Sequence, residues 1–290
     1  MKILITGSNG QVGQCLVEKI RDSVELLALD RNQLDITDQA AVLETVAQFE
    51  PDYIINAAAY TAVDKAEKEI ELAYAVNRDG PEYLAFAAQK YGAVFLHIST
   101  DYVFDGASEH PYEESDVTAP QGIYGKSKLA GEVAVAAQCS RHIIVRTAWV
   151  FSEYGNNFVK TMLRLGSERD MVSVVSDQFG GPTYAGDIAN TLLAMVSFVE
   201  RGGTPEWGVY HFSGMPHTSW YKFANEIFMH AKRAQILDKL PSTFAITSSE
   251  FPTAARRPAN SRLNCRKIFE QFGIEPSDWL SALDNIENYK

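Results

Sequence analysis

The chain opens on a short apolar run, Ile3, Leu4 and Ile5 between Lys2 and Thr6, and then changes period. Val12, Leu16, Val17 and Ile20 recur at helical intervals, so a strand, a glycine-rich turn and a helix follow one another. The same switch repeats down the first half. Glu25 to Leu29 reads as a second strand, and residues from about Asp38 to Phe49 as a helix with Thr37 as its N-cap and Pro51 as its stop. Tyr53 to Asn56 is a third strand. A long helical stretch runs from Lys65 to Lys90, broken near Gly80-Pro81. Val94 to Ile98 is a fourth strand with Ser99 and Thr100 at its C-terminal end. Strand and helix units repeating at this spacing predict an α/β fold with a doubly wound parallel sheet.

Beyond Trp149 the alternation weakens. The pattern predicts helices over Phe158 to Leu165 and Ala185 to Val199, with Asp177 to Thr183 as a loop between them. A turn at Gly202-Gly203-Thr204-Pro205, a short strand over Val209 to Phe212 and a helix from Thr218 or Ser219 follow. We expect a nucleotide-binding domain over residues 1–150 and a smaller substrate-binding lobe over 151–290, with non-contiguous segments exchanged between them.

Candidate chemistry concentrates at the predicted strand ends, where open parallel sheets bind ligands. Gly7, Gly10 and Gly13 are spaced G-x-x-G-x-x-G between strand and helix. Glycines there let the backbone, Gln11 and Val12 included, approach a pyrophosphate, whose charge meets free N–H groups and the helix dipole. Asp30 ends the second strand 17 residues beyond Gly13, near the spacing at which a carboxylate accepts from an adenosine ribose. Arg31 beside it suits a 2′-phosphate instead, so NADPH and NADH both remain open. Asp35 and Ile36 border an adenine or belong to loop and core. Ala59, Tyr60 and Thr61 follow a run of small residues that leaves room for a flat ring.

Tyr124 and Lys128 stand four residues apart, on one face of a helix that begins near Gly125. A phenol ordinarily titrates near 10, and a fixed cation beside it favours the phenolate, which makes Tyr124 a tunable general acid/base. The hydroxyl of Thr100 would hold the substrate oxygen that Tyr124 protonates while the adjacent carbon accepts a hydride. Tyr-x-x-x-Lys also arises by chance, so its weight comes from its place after a nucleotide-binding half.

Composition narrows the choice. The 290 residues are 46% hydrophobic and 22% charged, with a formal charge of −11, which disfavours a nucleic-acid partner. No apolar run is long enough for a membrane span, and the first residues lack a signal-peptide core. A cytoplasmic protein is the expectation. Cys15, Cys139 and Cys265 are too scattered for a disulfide framework, and the six histidines show no zinc spacing, so no metal is expected. In this acidic chain Arg256, Arg257, Arg262, Arg266 and Lys267 fall close together. They form a solvated face, or a set of guanidinium forks for phosphate oxygens. Trp149 reads as core or as a sugar-stacking ring, and Asn157 as a loop cap or a substrate contact.

Thr6-Gly7, Asn56-Ala57-Ala58, Ser99-Thr100 and Tyr124-x-x-x-Lys128, in this order, resemble the extended short-chain dehydrogenase/reductase superfamily. Longer stretches are similar to the dTDP-4-dehydrorhamnose reductase family. They include Asn56 to Glu67, Ser99 to Phe104, Tyr124 to Glu132, Arg146 to Val150, Gly155 to Phe158, Asp177 to Thr183, and Ala255 to Pro258 with Asn260 to Leu263. The resemblance implies a Rossmann-type fold and NAD(P)H-dependent reduction of the C4 keto group of a dTDP-4-keto-6-deoxysugar, here dTDP-4-dehydro-6-deoxy-L-mannose, to dTDP-L-rhamnose.

The resemblance also distributes roles. Gly10 to Val12, Asp30, Asp35, Ile36, Ala59 to Thr61 and Ile98 line the dinucleotide. Tyr124 is the proton donor, and Lys128 binds the nicotinamide ribose. Thr100, Asp101 and Trp149 touch the sugar, and Arg256 or Arg262 meets the diphosphate. The magnesium ion that some family members share across a dimer is not expected, because the matching positions hold Cys15 and Gly186; a monomer or a homodimer is left. Two other readings stay open: a reductase of another nucleotide-linked 4-ketosugar, and a non-catalytic dinucleotide-binding subunit like the regulatory one of methionine adenosyltransferase.

Overall fold

The computed structural model describes residues 1–20 and 24–289. Six parallel strands form the central sheet in the order Glu25–Leu29, Lys2–Thr6, Tyr53–Asn56, Val94–Thr100, His142–Thr147 and Gly208–His211. The inner strands are almost wholly buried, and mostly apolar along their lengths, because helices cover both faces of a parallel sheet. Successive side chains part to opposite sides. Ile3 and Ile5 pack with Leu16, Leu192 and Met195 under the helices Gln11–Lys19 and Ala185–Glu200. Leu4 points the other way, into a core with Val42, Leu84, Ala88 and Val135 from the helices Gln39–Phe49, Gly80–Tyr91 and Ile123–Gln138.

The doubly wound parallel sheet is thus present, and its sixth strand comes from late in the chain. A separate apolar core, built on Phe151, Leu163, Val172, Phe223, Phe228 and Trp279, joins the helices Phe158–Glu168 and Trp220–Arg233 to the strand Met171–Val175, with which Ser242–Ile246 pairs in parallel.

Local differences from the pattern have physical causes. Asp38, not Thr37, caps the second helix: its carboxylate accepts from the N–H groups of Ala40 and Ala41 at 3.0 and 3.1 Å, while the hydroxyl and N–H of Thr37 turn back to Asp35. The helical stretch from Lys65 to Lys90, expected to break near Gly80-Pro81, is divided earlier, into Val63–Ala66 and Ile70–Tyr74, and passes through a π-helical turn, Ala75–Asp79, into Gly80–Tyr91. Pro81 lies in the first turn of that last helix, where its missing N–H costs nothing. Within the expected loop Asp177 to Thr183, Phe179–Gly180 forms a short strand against Thr218–Ser219 and Asn260–Ser261.

Candidate active site

The glycine turn is shaped by close approach. Gly7 has φ +73°, and a Cβ on it would stand 2.5 Å from the backbone nitrogen of Ala58. A Cβ on Gly13 would stand 2.2 Å from the carbonyl oxygen of Gly7. Gly10 opens the helix Gln11–Lys19 with no side-chain cap, so the first-turn N–H groups face outward, available to an anion. These features fit a dinucleotide pyrophosphate.

Two adjoining cavities meet at this turn. One, of about 240 Å³, has Gly7, Gly10, Asp30, Arg31, Asp35, Ile36, Ala59 and Tyr60 in its wall. The other, of about 520 Å³, is lined by Gly10, Gln11, Val12, Ala59, Thr61, Ile98, Thr100, Asp101, Tyr124, Lys128 and Trp149. Both share Asn9, Gly10 and Ala57 to Ala59. Gly13 serves by packing and not as wall.

At the first cavity the Asp30 carboxylate is already engaged. Oδ1 accepts from the N–H groups of Asn32 and Gln33, and Oδ2 from Asn9 Nδ2 at 2.6 Å. Arg31 is exposed beside it. Asp35 is held below the usual carboxylate range, chiefly by the Thr37 N–H. Tyr60 is fastened through its backbone: its N–H donates to Asn77 Oδ1 at 2.8 Å and its carbonyl accepts from Asn77 Nδ2 at 3.0 Å. Asn77 sits in the π-helical turn and also donates to Ser127 Oγ, so that turn ties the cavity floor to the helix of Tyr124 and Lys128. Nothing in the linear sequence marks it.

In the second cavity the helix Ile123–Gln138 places Tyr124 and Lys128 on its inward face, beside the end of the strand Val94–Thr100. Lys128 is buried and donates from Nζ to the carbonyl of Ile98 at 2.7 Å. Burial pulls it down to about 8, against the Glu132 carboxylate, which works the other way. Burial pushes the half-buried phenol of Tyr124 up to about 12, with the Thr100 hydroxyl opposing and the Asp101 carboxylate adding to the rise. The direction is therefore the reverse of the depression expected from a fixed cation. Water removed from around each group sets the direction of its shift.

Thr100 donates from Oγ1 to Asp101 Oδ1 at 3.0 Å and accepts from the Tyr102 N–H. Asp101 is buried, and its carboxyl is raised to about 6 by that burial. Glu132, one turn beyond Lys128, is buried in a bidentate pair with Arg146, its Oε2 to Nη2 distance being 2.6 Å, and accepts from Ser99 Oγ.

Trp149 is half-buried and has φ +49°, a left-handed conformation that a bulky residue adopts only under constraint. Its indole lies on Trp220, 3.6 Å between ring centroids, and a Cβ on Gly180 would stand 2.6 Å from the ring. The ring is held by Trp220 and Gly180 where it lines the cavity. Trp220 was not singled out by any motif.

Asn157 is not on that wall. Its Oδ1 caps the helix Phe158–Glu168 through Lys160 N, and its Nδ2 donates to the Ser152 carbonyl and to Gln11 Oε1, while Gly155 and Asn156 reach the cavity. The basic run separates by partner. Arg266 pairs with Glu270 and Lys267 with Glu206 at the surface. Arg262 donates to Asn260 Oδ1 and the Glu109 carbonyl, away from the cavity. Arg257 pairs with Asp64 at 2.6 Å and keeps a buried Nη1 without a partner among the described residues. Arg256 lies near Tyr102, Gln121 and Gly122 in a small recess. Arg257, which the sequence left unranked, is thus half-buried, where Arg256 is exposed.

A profile described as the RmlD substrate binding domain matches residues 1–289. The chain belongs to this family. It is 50% identical over 290 residues to the dTDP-4-dehydrorhamnose reductase of Aggregatibacter actinomycetemcomitans, covering 99% of each chain. A dTDP-4-dehydrorhamnose reductase of Clostridium acetobutylicum superposes with a TM-score of 0.91 at 40% identity over 98% of each chain. So does that of Bacillus anthracis in complex with NADP, with a TM-score of 0.91 at 39% identity over 99% of each chain. The family fold is of the Rossmann type, and the six-stranded sheet and glycine turn described above are its framework here. Among the described residues no helix is long and apolar enough to cross a membrane.

Proposed function

We propose that this chain reduces the C4 keto group of dTDP-4-dehydrorhamnose to give dTDP-L-rhamnose, with NADPH as cofactor and NADH as a second compatible one. The observation that carries the reading is the meeting of Thr100, Tyr124 and Lys128 on one wall of a cavity whose other end is the glycine turn. A bound nicotinamide supplies the hydride that C4 accepts. Tyr124 Oη gives its proton to the C4 oxygen; a phenol raised to about 12 is fully protonated at neutral pH, which suits the donor of a reduction. Lys128 Nζ, anchored on the Ile98 carbonyl, holds the nicotinamide ribose, and Thr100 and Asp101 hold the sugar beside Tyr124.

The same reading gives the dinucleotide to Gly7, Gly10, Gln11, Val12, Gly13, Asp30, Arg31, Asp35, Ile36, Ala59, Tyr60, Thr61 and Ile98. Trp149, held in its strained backbone, offers its ring to the sugar. Arg256 meets the diphosphate, Arg262 fastens the segment that carries it, and Asn157 supports the wall from behind. Residues 1–150 then form the dinucleotide lobe and 151–290 the substrate lobe, with Ala185–Glu200 and Gly208–His211 contributed to the former. A cytoplasmic location and a monomer or homodimer go with it.

The test is loss of NADPH absorbance when the purified chain meets freshly generated dTDP-4-dehydrorhamnose, with Tyr124→Phe alongside. Turnover in the wild type and a fall of about 10²- to 10⁴-fold in the variant, with dinucleotide affinity retained, are expected. Wild-type turnover in Tyr124→Phe would remove the assigned proton donor.

A further inference from the structure

Behind the active site, Thr6, Asn56, His97 and Lys128 form an unbroken line of buried side chains from the first strand to the cavity. The direction of its hydrogen bonds can be assigned. The backbone N–H of Ala58 can only donate, and it meets Asn56 Oδ1 at 3.0 Å; the Thr6 hydroxyl donates to the same oxygen at 2.8 Å. The amide oxygen of Asn56 is therefore turned to these donors and its Nδ2 to His97 Nδ1, 3.1 Å away. An amide nitrogen has protons to give and no lone pair to offer, so Nδ1 accepts. A neutral imidazole with a bare Nδ1 carries its proton on Nε2, and Nε2 faces Lys128 Nζ at 3.3 Å.

We propose that His97 is a positioning residue for Lys128, donating from Nε2–H to the lone pair of Nζ and so favouring the neutral amine over the ammonium. The inference rests on the placement of Lys128 in the active site. An amine can accept this bond, donate to the Ile98 carbonyl and keep one N–H for the cavity; an ammonium would meet the imidazole N–H with a proton of its own. The other groups around the lysine are few. Tyr124 and Glu132 flank it on its own helix, and Thr100 and Asp101 lie at the strand end. Of these only Glu132 draws it towards the charged form, and that carboxylate is itself neutralised by Arg146. Burial holds His97 well below its ordinary range, so the ring is neutral and has one proton to place, and a lysine ammonium beside it lowers it further. Burial also brings Lys128 down to about 8, so that the amine becomes the major form as pH rises through that value.

The experiment is long-range proton–nitrogen correlation NMR on the full ligand-free chain labelled with ¹⁵N-histidine, between pH 7 and 9. The His97 signals are assigned by their loss in His97→Gln. A protonated Nε2 and a bare Nδ1 are expected; a proton on Nδ1 overturns the proposal without recourse to any further variant.

Asn56→Asp then reverses the line. One carboxylate oxygen keeps the Ala58 N–H, the other draws the imidazole proton to Nδ1, and the freed Nε2 accepts from a lysine ammonium. The expected result is a reversed tautomer together with a rise of about one pH unit in the lysine-linked limb of the kcat/KM profile, tenfold in proton affinity. A reversed tautomer with an unmoved profile also overturns the proposal. Lys128→Met separates the two levels of argument: full turnover in that variant would withdraw Lys128 from the active site, whatever the tautomer of His97.

Discussion

Arg31 and Asp30 stand side by side in the wall of the smaller cavity, where the proposed dinucleotide would place its adenosine ribose, yet they are not equally free. The carboxylate of Asp30 is spent on Asn9, Asn32 and Gln33, whereas the guanidinium of Arg31 is exposed. Arg31→Ala should therefore raise the KM for NADPH about tenfold, roughly 1.4 kcal/mol of a charge-assisted phosphate contact, and leave that for NADH nearly unchanged. Initial rates with each cofactor check it, and an equal loss for both would give the adenosine phosphate another partner. The adjacency of these residues was readable in the sequence; which of the two is free was not, because it depends on Asn9 across 21 positions. The tyrosine and lysine were legible for the opposite reason, since the spacing that pairs them is internal to one helix. Arg257 was not, because the carboxylate that pairs with it, Asp64, lies 193 positions away.

Elements were legible where a local period or a glycine set them. The first strand, its turn and its helix follow from Ile3 to Ile20, and Gly7 and Gly13 are there because backbones pass where a side chain would stand. Gly13→Ala places a methyl group 2.2 Å from the Gly7 carbonyl, a contact only backbone movement relieves. The variant should lose at least about tenfold in NADPH affinity, read by quenching of the bound cofactor's fluorescence, with a lowered Tm. Unchanged affinity would show that the turn does not hold the pyrophosphate. The π-helical turn Ala75–Asp79 escaped the pattern because its purpose is tertiary: Asn77 faces the Tyr60 backbone on one side and Ser127 on the other. The hydrophobic period across it looks like that of an uninterrupted helix.

At the scale of the whole molecule, the site costs stability. Asp101 is buried with its carboxyl raised to about 6 from an ordinary 3.8, so the native chain binds this proton more tightly than the unfolded one. Its contribution is fully present below about pH 4 and is lost as pH rises through about 6. Asp101→Asn, which has no proton to lose, should gain stability relative to the wild type across that window, on the order of 2 kcal/mol by pH 7, while activity falls. Denaturant midpoints of both proteins at pH 4.5 and 7.5 measure the difference. A gap that does not widen with pH would mean that Asp101 is not stabilised in its neutral form.

The sheet carries a further consequence for the way the protein is made. Its edge strand Gly208–His211 pairs with His142–Thr147, and the helix that seals Leu16 against the sheet begins only at Ala185. A growing chain that has just delivered Thr147 exposes an open strand edge and an uncovered apolar face. At a synthesis rate of about 5–20 residues per second, the missing pieces arrive roughly 3–13 seconds later. Through that interval the nascent nucleotide-binding half presents the surfaces that chaperones recognise, and a pause by the ribosome between these two strands would lengthen its exposure.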